Sequence, residues 1–339
     1  MKIAVITAAE QVGLREEPDP VPGPEDVLVR IGACGLCTME RRLYLGTKPI
    51  YPVAAGHEVA GEVIAVGAKA AVLPGVPRVG DTVTLDLLTR CGSCTSCRRG
   101  RSALCKQPQG GALSDGTISM GAGLAQLVKV PARQAFGTGS APLRHAAMGE
   151  PLACVTHSAR LGGLRAGDRV AVVGAGYMGR LHLALAKLRG AASVGLIDIS
   201  EERLTEAREA GADWTSTPAE AVAKGGKQDL VFVTAGAPDA LETAVAMCDD
   251  GGTVVLFGAF PKDLSAGISP DAIHHHELTV LGVFSHEPQD WTEAAALIAS
   301  GRLATDLDAL VTAEFPLAEV DEALRLAAKS PVYRVLVGG

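Results

Sequence analysis

The chain has 339 residues, 47% of them hydrophobic and 20% charged, with a formal net charge of −7. That acidic balance argues against a nucleic-acid or polyanion partner, and no apolar run reaches the eighteen or so residues that a membrane span needs. The length suits two domains, each with room for its own core.

The opening stretch, "KIAVITAAEQVGLREEPDPVPGPEDVLVRIGACGLC", alternates β-branched runs with a Pro/Gly-rich link, the pattern of short antiparallel strands and turns. It has neither a basic n-region nor an apolar h-region, and free thiols in a disulfide-poor chain fit a reducing compartment, so the cytoplasm is the expected location. Further short strands are expected in "HEVAGEVIAVG", "DTVTLDLL" and "LAQLVKVP", and no helix of any length before about residue 150. Within this β-rich part, "RCGSCTSCRRGRSALC" (90–105) holds four of the eight cysteines, Cys91, Cys94, Cys97 and Cys105. Their C-x2-C-x2-C-x7-C spacing suits a tetrahedral S4 site for a structural Zn2+. Two disulfides are the competing reading, better suited to a small secreted domain than to a chain of this size. With four cysteines on it, the metal would keep no open position for a substrate.

From about residue 150 the pattern changes to strand–turn–helix alternation. "RVAVVGAGYMGRLHLALAKLRGAASVGLIDIS" runs strand, Gly turn, helix, strand, and "LVFVTAGA", "GTVVLFGAF" and "LTVLGVFS" are apolar runs typical of a parallel sheet covered on both faces. "GAGYMG" supplies Gly174, Gly176, Tyr177, Met178 and Gly179 as G-x-G-x-x-G between a strand and a helix, a dinucleotide-binding turn with the helix N-terminus facing the phosphates. The next strand ends in Asp198, which would accept hydrogen bonds from the ribose hydroxyls and repel a 2′-phosphate, favouring NAD(H) over NADP(H). Arg203 could pack on the adenosine or meet a 2′-phosphate. After residue 286, "WTEAAALIASGR" and "AEVDEALRLAAK" suggest helices and "YRVLVGG" a last strand that returns to the first domain. The histidine run 274–276 reads as a polar loop, and His157 and His182 as structural.

"GHEVAGEVIAVG" resembles the G-H-E-x-x-G-x-V-x-x-x-G signature of the zinc-containing medium-chain dehydrogenases. The four-cysteine lobe, the Gly-rich turn and "GLAQLVKVP" follow in that family's order, so the resemblance covers essentially the whole chain. It implies an α/β protein: a GroES-like β-rich catalytic domain (1–151 and 285–339, with the zinc lobe at about 90–106) and a Rossmann NAD-binding domain (152–284), with the active site in the cleft between them. It implies two zincs per subunit. Cys37 and His57 resemble ligands of the catalytic one, and Glu58 the neighbouring carboxylate. Glu150, in "MGEPLACVTH", stands where polyol dehydrogenases carry an acidic ligand; either Glu58 or Glu150 is expected on the metal. Backbone groups of Val283 and Phe284 in "GVFSH" stand where the family holds the nicotinamide carboxamide. One departure is clear: Met39 and Arg42 occupy the positions of the hydroxyl and histidine that usually relay the alcohol proton. Thr38, Glu40 or Glu58 is expected to substitute. The implied activity is hydride transfer between an alcohol, preferentially a polyol, sugar alcohol or cyclitol, and NAD. The alternatives are a simple- or amino-alcohol substrate, or a non-catalytic NAD(H)-binding relative. A small-molecule substrate and a homodimer or homotetramer, formed through the sheet edge near "LTVLGVF", complete the expectation.

Overall fold

In a computed structural model that describes residues 1–107, 111–329 and 332–339, the chain forms two compact units. One comprises Met1–Ala153 with Glu287–Gly339, the other Cys154–His286. Among the described residues, no helix is long and apolar enough to cross a membrane.

The first unit is built on the strand Asp26–Leu36. Its alternation buries Val27, Val29 and Ile31 while Arg30 faces outward, as a half-covered strand requires. It pairs antiparallel with Glu58–Val66, Leu127–Pro131 and Arg334–Gly338, within a seven-stranded sheet that also takes in Thr82–Leu85, Ala135–Gly137 and Val311–Pro316. A five-stranded sheet with Lys2–Ala8 at its heart completes the β framework, and the two share a core that includes Ile3, Val29, Val59, Leu85 and Val335. The C-terminal segment is integral to this unit. Besides the strand Arg334–Gly338 it contributes the helix Pro288–Ala299, whose fully buried Trp291 stacks on Phe136 with ring centroids 5.5 Å apart.

Against the expectation of no helix before residue 150, Thr38–Tyr44 forms two helical turns. The reason is a capping box. Cys37 is the N-cap, its sulfur accepting from the Met39 N–H, and Glu40 reaches back to accept from the Cys37 N–H. The histidine run also differs from a loop. His274 and His275 close the helix Pro270–His275, which starts at a Ser269 cap with proline in its first position.

The second unit is a six-stranded parallel sheet in the order Trp214–Ser216, Ser193–Ile197, Arg169–Val173, Gln228–Val233, Cys248–Leu256, Thr279–Gly282. In chain order this is 3-2-1-4-5-6, the doubly wound arrangement whose strand order reverses beside the first strand. Its central strands are buried along nearly their whole length, which is why they read as unbroken apolar runs.

The helix Tyr177–Leu188 packs on this sheet through His182, which lies between Phe232 and Phe257 at centroid distances of 4.6 and 4.8 Å. Its Nδ1–H donates to Met178 O at 2.7 Å and Nε2 accepts from the Ser158 hydroxyl at 3.0 Å. Burial pushes its pKa down to about 4 from an ordinary 6.5, so the folded chain holds it neutral. The unfolded chain therefore takes up this proton first as pH falls. The stabilisation is whole above pH 6.5 and disappears on descent to about 4, a loss of roughly 3 kcal/mol. Thermal melts at pH 7 and pH 5 should show this acid weakening in the wild-type protein and a shallower slope in His182→Gln.

Candidate metal and nucleotide sites

Three sequence-predicted residues of the first unit converge. Cys37 ends the turn after the strand Asp26–Leu36, and His57 and Glu58 open its neighbour Glu58–Val66. One ligand atom from each of Cys37, His57 and Glu58 lies within 4.8 Å of the others. Cys37 Sγ and His57 Nε2 are 3.4 Å apart. A sulfur and a nitrogen on one tetrahedral zinc, with bonds of about 2.3 and 2.1 Å, would stand about 3.6 Å apart. The pair is already at ligand spacing.

Glu40 fixes that geometry. It is fully buried; one oxygen accepts from the Cys37 N–H at 3.0 Å, the other from the Gly56 N–H at 3.2 Å and from His57 Nδ1 at 3.0 Å. With Nδ1 committed to a carboxylate, Nε2 is the nitrogen left to face a cation, as in the carboxylate–histidine–metal arrangement. The electrostatics agree. Burial opposes ionisation of Glu40, yet the imidazole outweighs it and holds the carboxyl at about 2. Burial likewise opposes a charged His57, but Glu40 and Cys37 raise its pKa well above the ordinary value. Burial, reinforced by Glu40, pushes the Cys37 thiol up to about 11. A buried carboxylate drawing positive charge to an imidazole beside a thiol is a donor set that a divalent cation fits, since the metal takes the place of the protons.

Glu58 is buried, with Oε2 3.0 Å from Arg334 Nε. Arg334 Nη1 donates to Leu36 O at 2.7 Å. Burial raises the Glu58 pKa to about 7; Arg334 opposes the rise, and Glu150 adds to it. Gly35 leaves room for this carboxylate, because a Cβ there would lie 2.2 Å from Glu58 Oε2 and displace it. Glu150, in the first turn of the helix Gly149–Leu161, does not join the mutually close Cys37–His57–Glu58 group, and acts on it through its charge on Glu58.

Cys91, Cys94, Cys97 and Cys105 likewise bring their sulfurs within 4.8 Å of one another, all as free thiols. The Cys91–Cys105 and Cys91–Cys97 sulfurs are 3.5 and 4.0 Å apart. A disulfide needs about 2.05 Å, whereas two thiolates on one zinc stand about 3.8 Å apart. The geometry therefore favours a metal over two disulfides. Backbone N–H groups at Cys94 and Ser93 help lower the Cys91 pKa to about 6. The lobe is tied to the body by Glu287, which accepts from the Ser102 hydroxyl and, at 2.8 Å, from the Ala103 N–H.

In the second unit the turn Gly174–Gly179 joins the first strand to the helix Tyr177–Leu188. Gly174 has φ +110°, and a Cβ on Gly179 would lie 1.8 Å from Gly174 O. Gly176 differs. A Cβ there would meet only Arg203 Nη1, at 3.6 Å, so the chain's own packing does not demand glycine. The helix lacks a side-chain cap. An uncapped helix N-terminus with a guanidinium as its nearest side-chain neighbour fits a pyrophosphate. Tyr177 is buried and Met178 half-buried in the first helical turn. Asp198 accepts from the Ala175 N–H at 2.7 Å and the Ser200 N–H at 3.0 Å, with Arg203 Nη1 3.9 Å away. Val283 is buried and its N–H bonds Leu256 O, while Phe284 is 68% exposed.

Two residues at these sites escape the sequence reading. Arg334 lies almost three hundred residues from Glu58 with no local signal. Glu40 was legible only as a relay candidate; the Cys37-x-x-Glu40 spacing of a capping box is the signal that points to its buried role. Substituting Glu40→Gln should keep the cap but weaken metal retention at the Cys37–His57 pair by about 10- to 100-fold. Competition with a chelator, followed by metal analysis, reads this out.

The sequence matches the profile described as "Alcohol dehydrogenase GroES-like domain" over residues 23–139 and "Zinc-binding dehydrogenase" over residues 178–300. It is 32% identical to the D-altritol 5-dehydrogenase of Agrobacterium fabrum over 307 residues, covering 88% of this chain and 87% of that protein. It is also 32% identical to the L-threonine 3-dehydrogenase of Pyrococcus furiosus over 333 residues, covering 92% and 91%. Among solved structures, a zinc-binding dehydrogenase from Sinorhizobium meliloti 1021 bound to NADP matches at TM-score 0.88 and 32% identity, covering 100% of this chain and 99% of that one. With the metal-type donor sets and the glycine turn in place, these matches establish that the chain belongs to the zinc-containing medium-chain dehydrogenase family.

Proposed function

We propose that this protein is a zinc-dependent polyol dehydrogenase linked to NAD. The observation that carries the reading is the Cys37–His57 pair at ligand spacing, with Glu40 holding the imidazole. Bound there, zinc supplies Lewis acidity, and the nicotinamide supplies the hydride acceptor.

The chain's own residues do the rest. Cys37 and His57 hold the cation, and the acidic pair Glu58 and Glu150 supplies the third protein ligand, leaving a fourth position for substrate. Arg334 retains the Glu58 carboxylate when it stands away from the metal. Glu40 keeps His57 Nε2 aimed, and with both oxygens already engaged it is not a path for the alcohol proton. The proton route falls to Thr38, which is exposed, because Met39 carries no exchangeable proton. The four cysteines of the lobe hold a second, structural zinc. In the second unit, the Gly174–Gly179 turn takes the pyrophosphate, Asp198 the adenosine ribose, and the Val283–Phe284 backbone the carboxamide. Asp198 supports NAD over NADP; the NADP in the Sinorhizobium meliloti structure marks the opposite outcome. The strand Thr279–Gly282 ends its sheet with one edge unpaired among the described strands, which supports a homodimer or homotetramer formed there.

The test is a panel of polyols, simple alcohols and amino alcohols with NAD and with NADP, followed by absorbance of the reduced cofactor, together with metal analysis. Two zincs per chain and faster turnover of polyols with NAD are expected. No reduction of either cofactor by any alcohol would overturn the dehydrogenase reading. In the same assay, Thr38→Val should lower turnover by about 10²-fold or more and alter its pH profile.

A further inference from the structure

Lys48 stands in the loop that follows the helix Thr38–Tyr44. It is not a loosely tethered surface lysine. Its N–H donates to Arg42 O at 3.1 Å, and its carbonyl accepts from the Ile50 N–H at 2.9 Å, so the backbone is pinned on both sides. The side chain is half-buried, and its ammonium lies 3.3 Å from the sulfur of Met39. Met39 is two residues beyond Cys37, and its own N–H bonds the Cys37 sulfur at 3.0 Å.

A thioether is a weak acceptor, and no carboxylate or hydroxyl pairs with this ammonium among the described residues. The acidic groups of the Cys37–His57 cluster are committed elsewhere: Glu40 has both oxygens occupied by Cys37, Gly56 and His57, and Glu58 faces Arg334. Placing a cation against an apolar side chain sacrifices part of its hydration. Among the described residues, only the Met39 thioether is in place to offset that cost. An anionic ligand group would do so, through a charge-assisted hydrogen bond of the kind an ammonium gives to phosphate or carboxylate.

We infer that Lys48 selects substrates in which the alcohol to be oxidised belongs to a polyol carrying a terminal anionic group, a phosphate ester or a carboxylate. The inference rests on the dehydrogenase reading for the location of the reacting carbon, near Cys37. It extends that reading from polyols in general to anionic ones, and it makes Lys48 a specificity residue.

The experiment uses the zinc-loaded protein and matched pairs: galactitol with galactitol 1-phosphate for the phosphate source, and iditol with idonate for the carboxylate source. The quantity read is the ratio of kcat/KM for the anionic member over the neutral one, alongside the Kd of each anionic member from calorimetric titration. Wild type should favour the anionic member in one arm, which identifies the source. Lys48→Met, which keeps an unbranched apolar stem, should cut that ratio and weaken the anion's Kd by about 10- to 100-fold. Lys48→Glu should cut both further, and Lys48→Arg should retain most of each. A wild type that favours the neutral member in both arms, or a ratio and Kd unmoved in Lys48→Met, overturns the inference while turnover of the neutral polyols leaves the dehydrogenase reading standing. Lys48-dependent anion binding without reduction of either cofactor supports the anion site and overturns the dehydrogenase reading instead.

Discussion

The carboxylate of Glu40 receives three donors on two oxygens, and the arrangement of the metal-type site follows from that. One donor, the Cys37 N–H, starts the helix Thr38–Tyr44; another, the Gly56 N–H, secures the approach to the strand Glu58–Val66; the third is His57 itself. A single buried charge thereby joins a helix start, a strand start and an imidazole. A buried carboxylate is costly unless it is paired and hydrogen-bonded, and here it is both. The same pairing that makes it tolerable in the core determines which imidazole nitrogen faces outward. Folding energetics and ligand geometry are one constraint at this residue.

The two donor sets of the first unit answer different needs with related chemistry. In the lobe, four thiols from one short segment converge, with a backbone N–H on Cys91 lowering its pKa. Such a set saturates a tetrahedral ion and leaves nothing for substrate. In the Cys37–His57 set the protein supplies fewer donors, drawn from segments well apart in the chain, and sets them beside the buried carboxylates of Glu40 and Glu58. The glycine turn follows a third logic, in which backbone takes the place of side chains: at Gly176 a Cβ would meet nothing nearer among the described residues than Arg203 Nη1, at 3.6 Å.

Much of this was legible in the sequence because the signals were local. The spacing Cys91, Cys94, Cys97, Cys105 and the run Gly174–Gly179 are each contained in one loop or turn, and the apolar strands of the parallel sheet are marked by their continuity. What could not be read is what pairs across distance. Arg334 against Glu58, and Glu287 against Ser102 and Ala103, join segments separated by well over a hundred residues. The short helix after Cys37 was hidden because cysteine is an unusual N-cap, and "TMERRLY" looks like a solvated charged run rather than a helix with a buried glutamate. Lys48 carries no motif at all, and its environment exists only once the loop folds back on Met39.

The strand Arg334–Gly338 and the helix carrying Trp291 belong to the first unit although the second unit is encoded between them and the rest of it. During synthesis, which proceeds from the N-terminus at a limited pace, the ribosome must therefore emit the entire parallel-sheet unit before the earlier unit can close. Until those last residues emerge, Glu58 lacks its guanidinium and the cysteine lobe its anchor. The lobe at Ser102 and Ala103 thus waits for a carboxylate encoded more than 180 residues later.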